Sequence, residues 1–395
     1  MRPLLKSFVA FFTSLTLTVW LLAFSLVLVF AATLAQTDLG VWAVQQKYFW
    51  SLFVMARLPG TGLMIPVFPG GYLLGGLLLV NLVAAHLNRF RLEWRKAGIW
   101  LTHFGLILLL LGELFTGLWQ RETQMRIDQG QTRSYAESPR QFELAVIDTT
   151  DPASDHVFAI PTGILARGGT IQYPRLPFTI HTLAFYPNST LQNRNRAPGA
   201  QPSPADQGFG PEVVASPEPV TYRTDELNAP SAFVELAGPE GRLGTWLVSA
   251  LFTEPQEFPY QGRTWRLLLR PERDYYPFAV TLLKFSHDRY PGTDIPKNFS
   301  SRVRLRSADG RVDREVLIYM NNPLRYAGLT FYQAGFENND RTTVLQVVRN
   351  PSWQLPYVSC VMMALGLVIQ FGIHLFGFIQ RRSAATAAPA TAASN

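Results

Sequence analysis

Six histidines occur in this 395-residue chain, and their surroundings divide them into two groups. His86, His103 and His374 stand in long apolar runs, close to where those runs meet basic residues. His86 comes three residues before Arg89, His103 five residues after Gly98, and His374 seven residues before Arg381. If the runs are helices rising about 1.5 Å per residue, the three imidazoles share one depth, roughly 5–10 Å from the basic ends. An ionisable group held inside a membrane is costly, so its presence is a functional hypothesis by default. A neutral imidazole can be an axial ligand to haem iron. A haem is a flat apolar plate with two carboxylates. It could lie between such helices with its propionates near Arg89, Arg91, Arg95 or Lys96, residues equally suited to anionic lipid headgroups. The competing reading is structural: each histidine hydrogen-bonds a neighbouring helix or reaches back to the interface. His103, deepest in an otherwise apolar run, has the strongest claim to a ligand role. Glu113, in the same run, has pairing or snorkelling as its plainer reading and a proton or cation role as the sharper one.

Other chemistries find little support. The single cysteine, Cys360, lies inside an apolar run. There is no Cys-x-x-Cys pair and no Cys-x-x-Cys-His haem-attachment motif, so the chain is neither a thiol reductase nor itself a c-type cytochrome. His156 sits in a polar turn, His181 alternates with apolar residues, and His287 is beside Asp288. None of them has the spacing of a metal site. No Gly-rich phosphate loop, HExxH, Ser-His-Asp signature or paired-carboxylate motif is present.

The elements that must position the histidines are membrane helices. Crossing a hydrocarbon core takes about 20 apolar residues, and four stretches qualify: Ser14–Ala35, Gly71–His86, Gly98–Trp119 and Pro356–Ile379. The formal charge of +7 raises the question of nucleic acid, but its distribution removes it. Residues 120–355 hold 25 basic and 25 acidic residues, and the rest of the chain holds 10 and 3. The excess is therefore a topology signal. Arg2 and Lys6, then Arg89, Arg91, Arg95 and Lys96, then Arg381 and Arg382, flank helix ends of one parity. The expected arrangement is a multi-pass protein of a bacterial cytoplasmic membrane with both termini inside. Its division is 1–36, cytoplasmic N-terminus and first helix; 37–70, an outer aromatic loop; 71–119, the second and third helices with their basic turn; 120–355, an extracytoplasmic domain; 356–379, the fourth helix; and 380–395, a disordered cytoplasmic tail. The first helix is also weighed as a cleaved signal peptide, against which its apolar run of about 22 residues is long.

Within the outer loop, residues 41–57 read as an interfacial helix carrying Trp42, Tyr48, Phe49, Trp50 and Phe53. The domain 120–355 reads as mainly antiparallel β, a sandwich or open barrel. Strands are expected at 141–148, 179–185, 232–236, 244–249, 265–269, 278–285, 302–306, 315–319, 329–333 and 343–348. Hairpin turns are expected at Gly238-Pro239-Glu240-Gly241 and Ser307-Ala308-Asp309-Gly310. The Pro-, Asn- and Gly-rich stretch 187–230 reads as a flexible insertion.

Three tracts carry a resemblance. NLVAAHLNRFRLEWRKAGIWLTHFGLILLLLGELFTG (81–117) is similar to the second and third helices of ResB proteins, also called CcsB, of system II cytochrome c biogenesis. SHDRYPGTDIPKNFSSRVRL (286–305) and IYMNNPLRYAGLTFYQAGFENNDRTTVLQVVRNPSW (318–353) resemble the outer domain of that family. The resemblance implies a non-enzymatic membrane subunit that works with a CcsA-type haem lyase partner. The pair would bind non-covalent haem b transiently, pass it across the membrane and present it to apocytochrome c. It implies that His103, in Thr102-His103-Phe104-Gly105, pairs with a histidine of the partner. The tryptophan-rich haem loop of the CcsA half is absent here. The alternative is a cofactor-free membrane scaffold whose β domain recruits partner proteins; a transporter of another cargo would need more intramembrane polar groups than these helices offer.

Overall fold

The computed structural model describes residues 2–89, 93–196, 199, 201–223, 226–292 and 296–387. The chain forms two compact units, one helical (1–120 and 350–395) and one β (121–349).

The helical unit opens with α1 (Arg2–Phe12) and α2 (Leu15–Leu39), separated at Thr13–Ser14, where Ser14 is extended. After α3 (Val41–Val44) and a turn of π-helix over Gln45–Phe49, the chain forms a hairpin of β1 (Phe53–Arg57) and β2 (Met64–Pro69). The interfacial helix expected over 41–57 is therefore only half helical. Its second half pairs with β2 because Pro59-Gly60-Thr61-Gly62 turns the chain back and Val54 buries against Leu21, Leu28 and Leu74. Then follow α4 (Gly71–Arg89) and α5 (Ala97–Trp119). Four helices are long and apolar enough to cross a membrane: Leu15–Leu39, Gly71–Asn88, Trp94–Trp119 and Leu355–Ser383. They leave large apolar side chains uncovered, among them Leu26, Val368 and Phe371, each about 70% exposed, as lipid contact requires and water does not tolerate in patches of that size.

In the β unit, β3 (Arg121–Asp128), β4 (Thr132–Asp148), β5 (His156–Pro161), α6 (Thr162–Leu165), β6 (Gly169–Ile171) and β7 (Thr179–Tyr186) come first. They are followed by β8 (Ser189–Asn193), β9 (Val213–Pro217), β10 (Ser231–Gly238), β11 (Gly241–Ser249) and β12 (Gln256–Tyr260). The unit ends with β13 (Arg263–Arg289), β14 (Pro296–Ser307), β15 (Asp313–Tyr319), β16 (Leu324–Tyr326), β17 (Leu329–Glu337) and β18 (Thr342–Arg349). The last helix is α7 (Leu355–Ala387), with Pro356 in its first turn, where no N–H is needed. It continues past the expected end at 379; the tail expected to be disordered from 380 is helical to Ala387, and 388–395 lie outside the described residues.

Among the described residues the β unit has two large cores, with a smaller cluster of Ala205, Phe233 and Leu247 against β8 and β9. One sheet runs β15-β14-β13-β4-β3-β18-β17-β16. Its edges meet: Tyr319 and Asn322 exchange backbone hydrogen bonds of 3.4 and 3.0 Å, nearly closing a barrel around Val280, Leu305, Ile318 and Phe331. The far halves of β4 and β13, with β5 and β12, face a second sheet, β11-β10-β7-β6, across a core centred on Trp265 and Phe178. β4 and β13 thus serve both cores. The two strands expected at 265–269 and 278–285 are one bent strand. Pro271 and Pro277 do not end it, because the register slips between Pro271 and Arg273 and between Tyr275 and Val280, and bulges are where strands tolerate proline. Both expected hairpins form: β10–β11 around Gly238–Gly241 and β14–β15 around 307–312. The insertion 187–230 is more ordered than its composition implies. β8 and β9 pair across it, and Asn188 closes its base by donating to the Pro219 carbonyl and accepting from the Ala229 N–H.

Two predictions follow from this packing. α5 lies so close to α7 that a Cβ on Gly98 would stand 2.4 Å from the Gly366 carbonyl oxygen. Gly98→Leu is expected to cost about 1–3 kcal/mol of overpacking, read as a lower thermal midpoint in detergent; an unchanged midpoint would refute the contact. In the β unit, Thr150 through its O–H and N–H, together with Arg263, holds the Asp148 carboxyl below its ordinary value. A depressed folded-state pKa contributes stability above the unfolded value, lost as pH falls through the folded one. The thermal stability of the β unit should therefore fall as pH drops below the ordinary 3.8. Asp148→Asn should show a shallower acid decline, and a slope identical to wild type would exclude Asp148 as a contributor.

Candidate functional site

α5 has one face of glycine and one of imidazole. Gly98, Gly105 and Gly112 are buried and seven residues apart. Cβ atoms on Gly105 and Gly366 would collide with Ser359 and Met363 and with Thr102 respectively, so this stripe fixes the rotation of α5 against α7. The far end of the same contact is closed by Ser352, which meets Thr116 at 3.0 Å. His103 is two residues from Gly105, about 200° around a helix of 3.6 residues per turn, and so it points away from α7.

That direction brings it to His86 on α4. The ring centroids are 4.9 Å apart with planes tilted by 47°. The His103 Nδ1–H donates to the Ile99 carbonyl at 2.7 Å, and the His86 Nδ1–H to the Leu82 carbonyl at 3.2 Å. A carbonyl only accepts, so in each neutral ring the proton sits on Nδ1 and Nε2 carries the lone pair. Trp100 stands edge-on to His86 at 4.8 Å, with Phe104 at 5.7 Å. The pair opens on a cleft of about 570 Å3 walled by α2, α4 and α5, including Leu22, Leu78 and Leu106. Lys96 is the one charged side chain among the described residues lining this cleft, and it also pairs with Glu93 at 2.9 Å.

The expected site residues thus part company. His86, His103 and Lys96 come together. His374 does not join them: it lies off the cleft, and the Gln370 amide donates to its Nε2 at 2.9 Å, occupying its lone pair. Arg95 is exposed and off the cleft lining. Arg91 and the side chain of Arg89 lie outside the described residues. Glu113 is exposed, ten residues further along α5. Of the histidines in the β unit, His287 is buried, bonded to Asp340 at 2.9 Å and packed on Phe336; His181 meets Thr170 at 3.3 Å; His156 is exposed near Arg263.

The two imidazoles can hold a metal-centred plate in only one way. Trans ligands must leave room for the metal and two bonds of about 2.0 Å each between their nitrogens, which centroids 4.9 Å apart do not provide. One of them can ligate an iron while the other lies beside the plate. A third residue, invisible to the reading of the sequence, completes the cleft. Asn81 is 2% exposed; its amide donates to the Phe12 and Ser14 carbonyls at 2.8 and 3.2 Å and accepts from Thr18 at 2.6 Å. It satisfies backbone groups freed where α1 breaks from α2, a necessity in an apolar medium. The signal that could have found it is an amide in the middle of an apolar run.

Comparison with known proteins finds a family match, within the β unit, and a similar protein. Residues 266–343, the barrel half, match the model of the ResB-like family. Protein NrfI of Wolinella succinogenes is 32% identical over 98 residues, which make up 25% of this chain and 11% of that protein's own length.

Asn81→Leu is expected to cost about 1–3 kcal/mol by stranding the Phe12 carbonyl, since the Ser14 carbonyl keeps the Thr18 N–H and hydroxyl. The check is a denaturant titration of the purified chain in detergent, followed by tryptophan fluorescence; a variant as stable as wild type would mean that the α1–α2 break does not depend on this amide.

Proposed function

We propose, from the match of residues 266–343 to the ResB-like family and the similarity to NrfI, that the chain is a membrane subunit of cytochrome c biogenesis that holds haem as cargo in the histidine cleft. The observation that carries the reading is the pair His86–His103, each with Nδ1–H bound to its own helix and Nε2 without a hydrogen bond among the described residues, in an aromatic and aliphatic cleft where Lys96 is the one described lysine. The hydrogen bond from Nδ1–H to a carbonyl fixes ring orientation and tautomer and raises the basicity of Nε2, as at metal-ligating histidines generally.

In this reading His103 supplies one axial nitrogen. A CcsA-type partner with its own intramembrane histidine would supply a further nitrogen to the same haem. His86 and Trp100 would flank the haem, and Lys96 would receive a propionate. The positive-inside rule, applied to the basic residues at one set of helix ends, supports a reading with the termini in the cytoplasm and the β unit on the extracytoplasmic side. The β unit would meet the partner and the apocytochrome c there. Binding, orientation and exclusion of water are the work of this chain; covalent attachment belongs to the partner.

The test is a reduced pyridine haemochrome spectrum of the chain co-purified with a CcsA-type partner, wild type against His103→Ala. Non-covalent b-type haem is expected in the wild-type complex. It should fall at least about tenfold in the variant, since losing even an outer-shell partner of a ligand typically costs 10–100-fold. Unchanged haem content and cytochrome c maturation in a stably inserted His103→Ala would leave the cofactor-free scaffold as the better reading.

A further inference from the structure

The β unit carries a cavity of about 320 Å3 at the end of its barrel where β3 begins and β18 ends. Arg121 and Arg349 line it and are direct cross-strand partners. Like charges directly opposite one another destabilise a sheet, so their juxtaposition calls for a compensating anion. Arg121 has two: Glu272 at 2.8 Å and Asp274 at 2.9 Å. Arg349 forms no ion pair among the described residues, and it is exposed. Asp274, the one acid among the described residues lining the cavity, is paired with Arg121 and shared as a more distant charge with Arg349, while burial pushes its carboxyl above the ordinary value.

The rest of the lining is amphipathic. Tyr276 and Phe278 stack at 5.1 Å with planes 3° apart, and Leu329 and Val347 add apolar surface. The Tyr276 hydroxyl, 3.5 Å from Thr123 Oγ1, stays protonated because burial pushes its pKa up. The cavity is at the small end of ligand sites, which run from about 300 Å3, so it takes a head group rather than a macrocycle. Along the chain, Arg121 follows Gln120, which caps α5, and Arg349 precedes Asn350, five residues before α7. Those residues, Gln120 and Asn350, are joined by a side-chain hydrogen bond of 3.4 Å.

We propose that this cavity is an oxyanion subsite in which Arg349 and Tyr276 bind the charged head of an amphiphile whose apolar part rests on the aromatic stack. The chemistry is that of a phosphodiester of an anionic phospholipid or a carboxylate on a large apolar body. The subsite is independent of the histidine cleft, so it stands or falls separately from the function proposed above.

The experiment uses the full chain carrying His103→Ala, which removes the cleft ligand, in a neutral detergent. Micelles are doped with phosphatidylglycerol or with phosphatidylcholine, and retained lipid is counted by native mass spectrometry; haem is titrated in parallel without lipid. Preferential retention of phosphatidylglycerol, reduced roughly tenfold by Arg349→Gln as expected for one charge-assisted contact and restored by Arg349→Lys, supports the subsite with a lipid phosphate as occupant. No lipid preference, but haem binding weakened to a similar degree by Arg349→Gln, supports it with a carboxylate as occupant. Arg349 is exposed and outside every ion pair among the described residues, so the variant keeps its fold, which unfolding midpoints would verify. Lipid retention and haem binding both indifferent to Arg349→Gln would overturn the proposal.

Discussion

The contact on which the histidine site depends contains no histidine. α5 and α7 approach until the backbone of one meets the backbone of the other at Gly98 and Gly366, and no side chain larger than hydrogen fits there. Apolar side chains gain little by leaving lipid for a neighbouring helix, so association rests on close packing of small residues. Glycines at 98, 105 and 112 make the stripe continuous, and a continuous stripe leaves α5 one rotation about its axis. Once that rotation is set, Ile99, His103 and Leu106 must face α4 and α2. The cleft is the consequence of a helix pinned from behind.

A second constraint acts on the polar groups in that cleft. Each must have a partner, and in lipid the partner must be protein. The two histidines meet the requirement within their own helices by donating Nδ1–H to a carbonyl four residues earlier. The bond leaves one nitrogen of each ring unused, on the side where the cleft is open. Asn81 meets the requirement differently: its amide takes up the carbonyls exposed where α1 and α2 part, and Thr18 answers its oxygen. The same solvent that makes an unpaired group expensive thus produces both a rigid clamp and two imidazole rings of fixed tautomer with centroids 4.9 Å apart.

The β unit solves a different problem, that of a large sheet with edges. β15 and β16 come together at Tyr319 and Asn322, so the barrel nearly closes its own edge. The long strands β4 and β13 pass through a bend and supply walls to both cores. The bend carries Arg270 and Glu143, buried and paired at 3.0 Å, and Arg273 paired to Glu137 at 2.9 Å. Burial outweighs Arg270 and pushes the Glu143 carboxyl up. Such a pair is poor evidence for stability, but breaking it would leave a buried charge where two halves of the unit share a strand.

Much of this architecture is local in origin and could be read from the chain. Four apolar runs of membrane length, a charge excess confined to them, and hairpins announced by Gly238–Gly241 and Ser307–Gly310 all depend on neighbours in sequence. The choice of His103 as the leading imidazole also came from its depth in one helix. Other features were hidden because they depend on groups far apart in the chain. Whether His86 or His374 would meet His103 turns on helix rotation, which Gly366 decides from more than 260 residues away. Whether Pro271 and Pro277 end a strand turns on bulges set by pairing with β4. The order in 187–230 comes from Asn188 and the β8–β9 pairing, not from its composition. Periodicity and burial length are properties of a segment, so sequence determines the elements. Register, rotation and the pairing of polar groups are properties of two segments at once, so only the tertiary structure could decide which imidazoles, and which arginines, stand together.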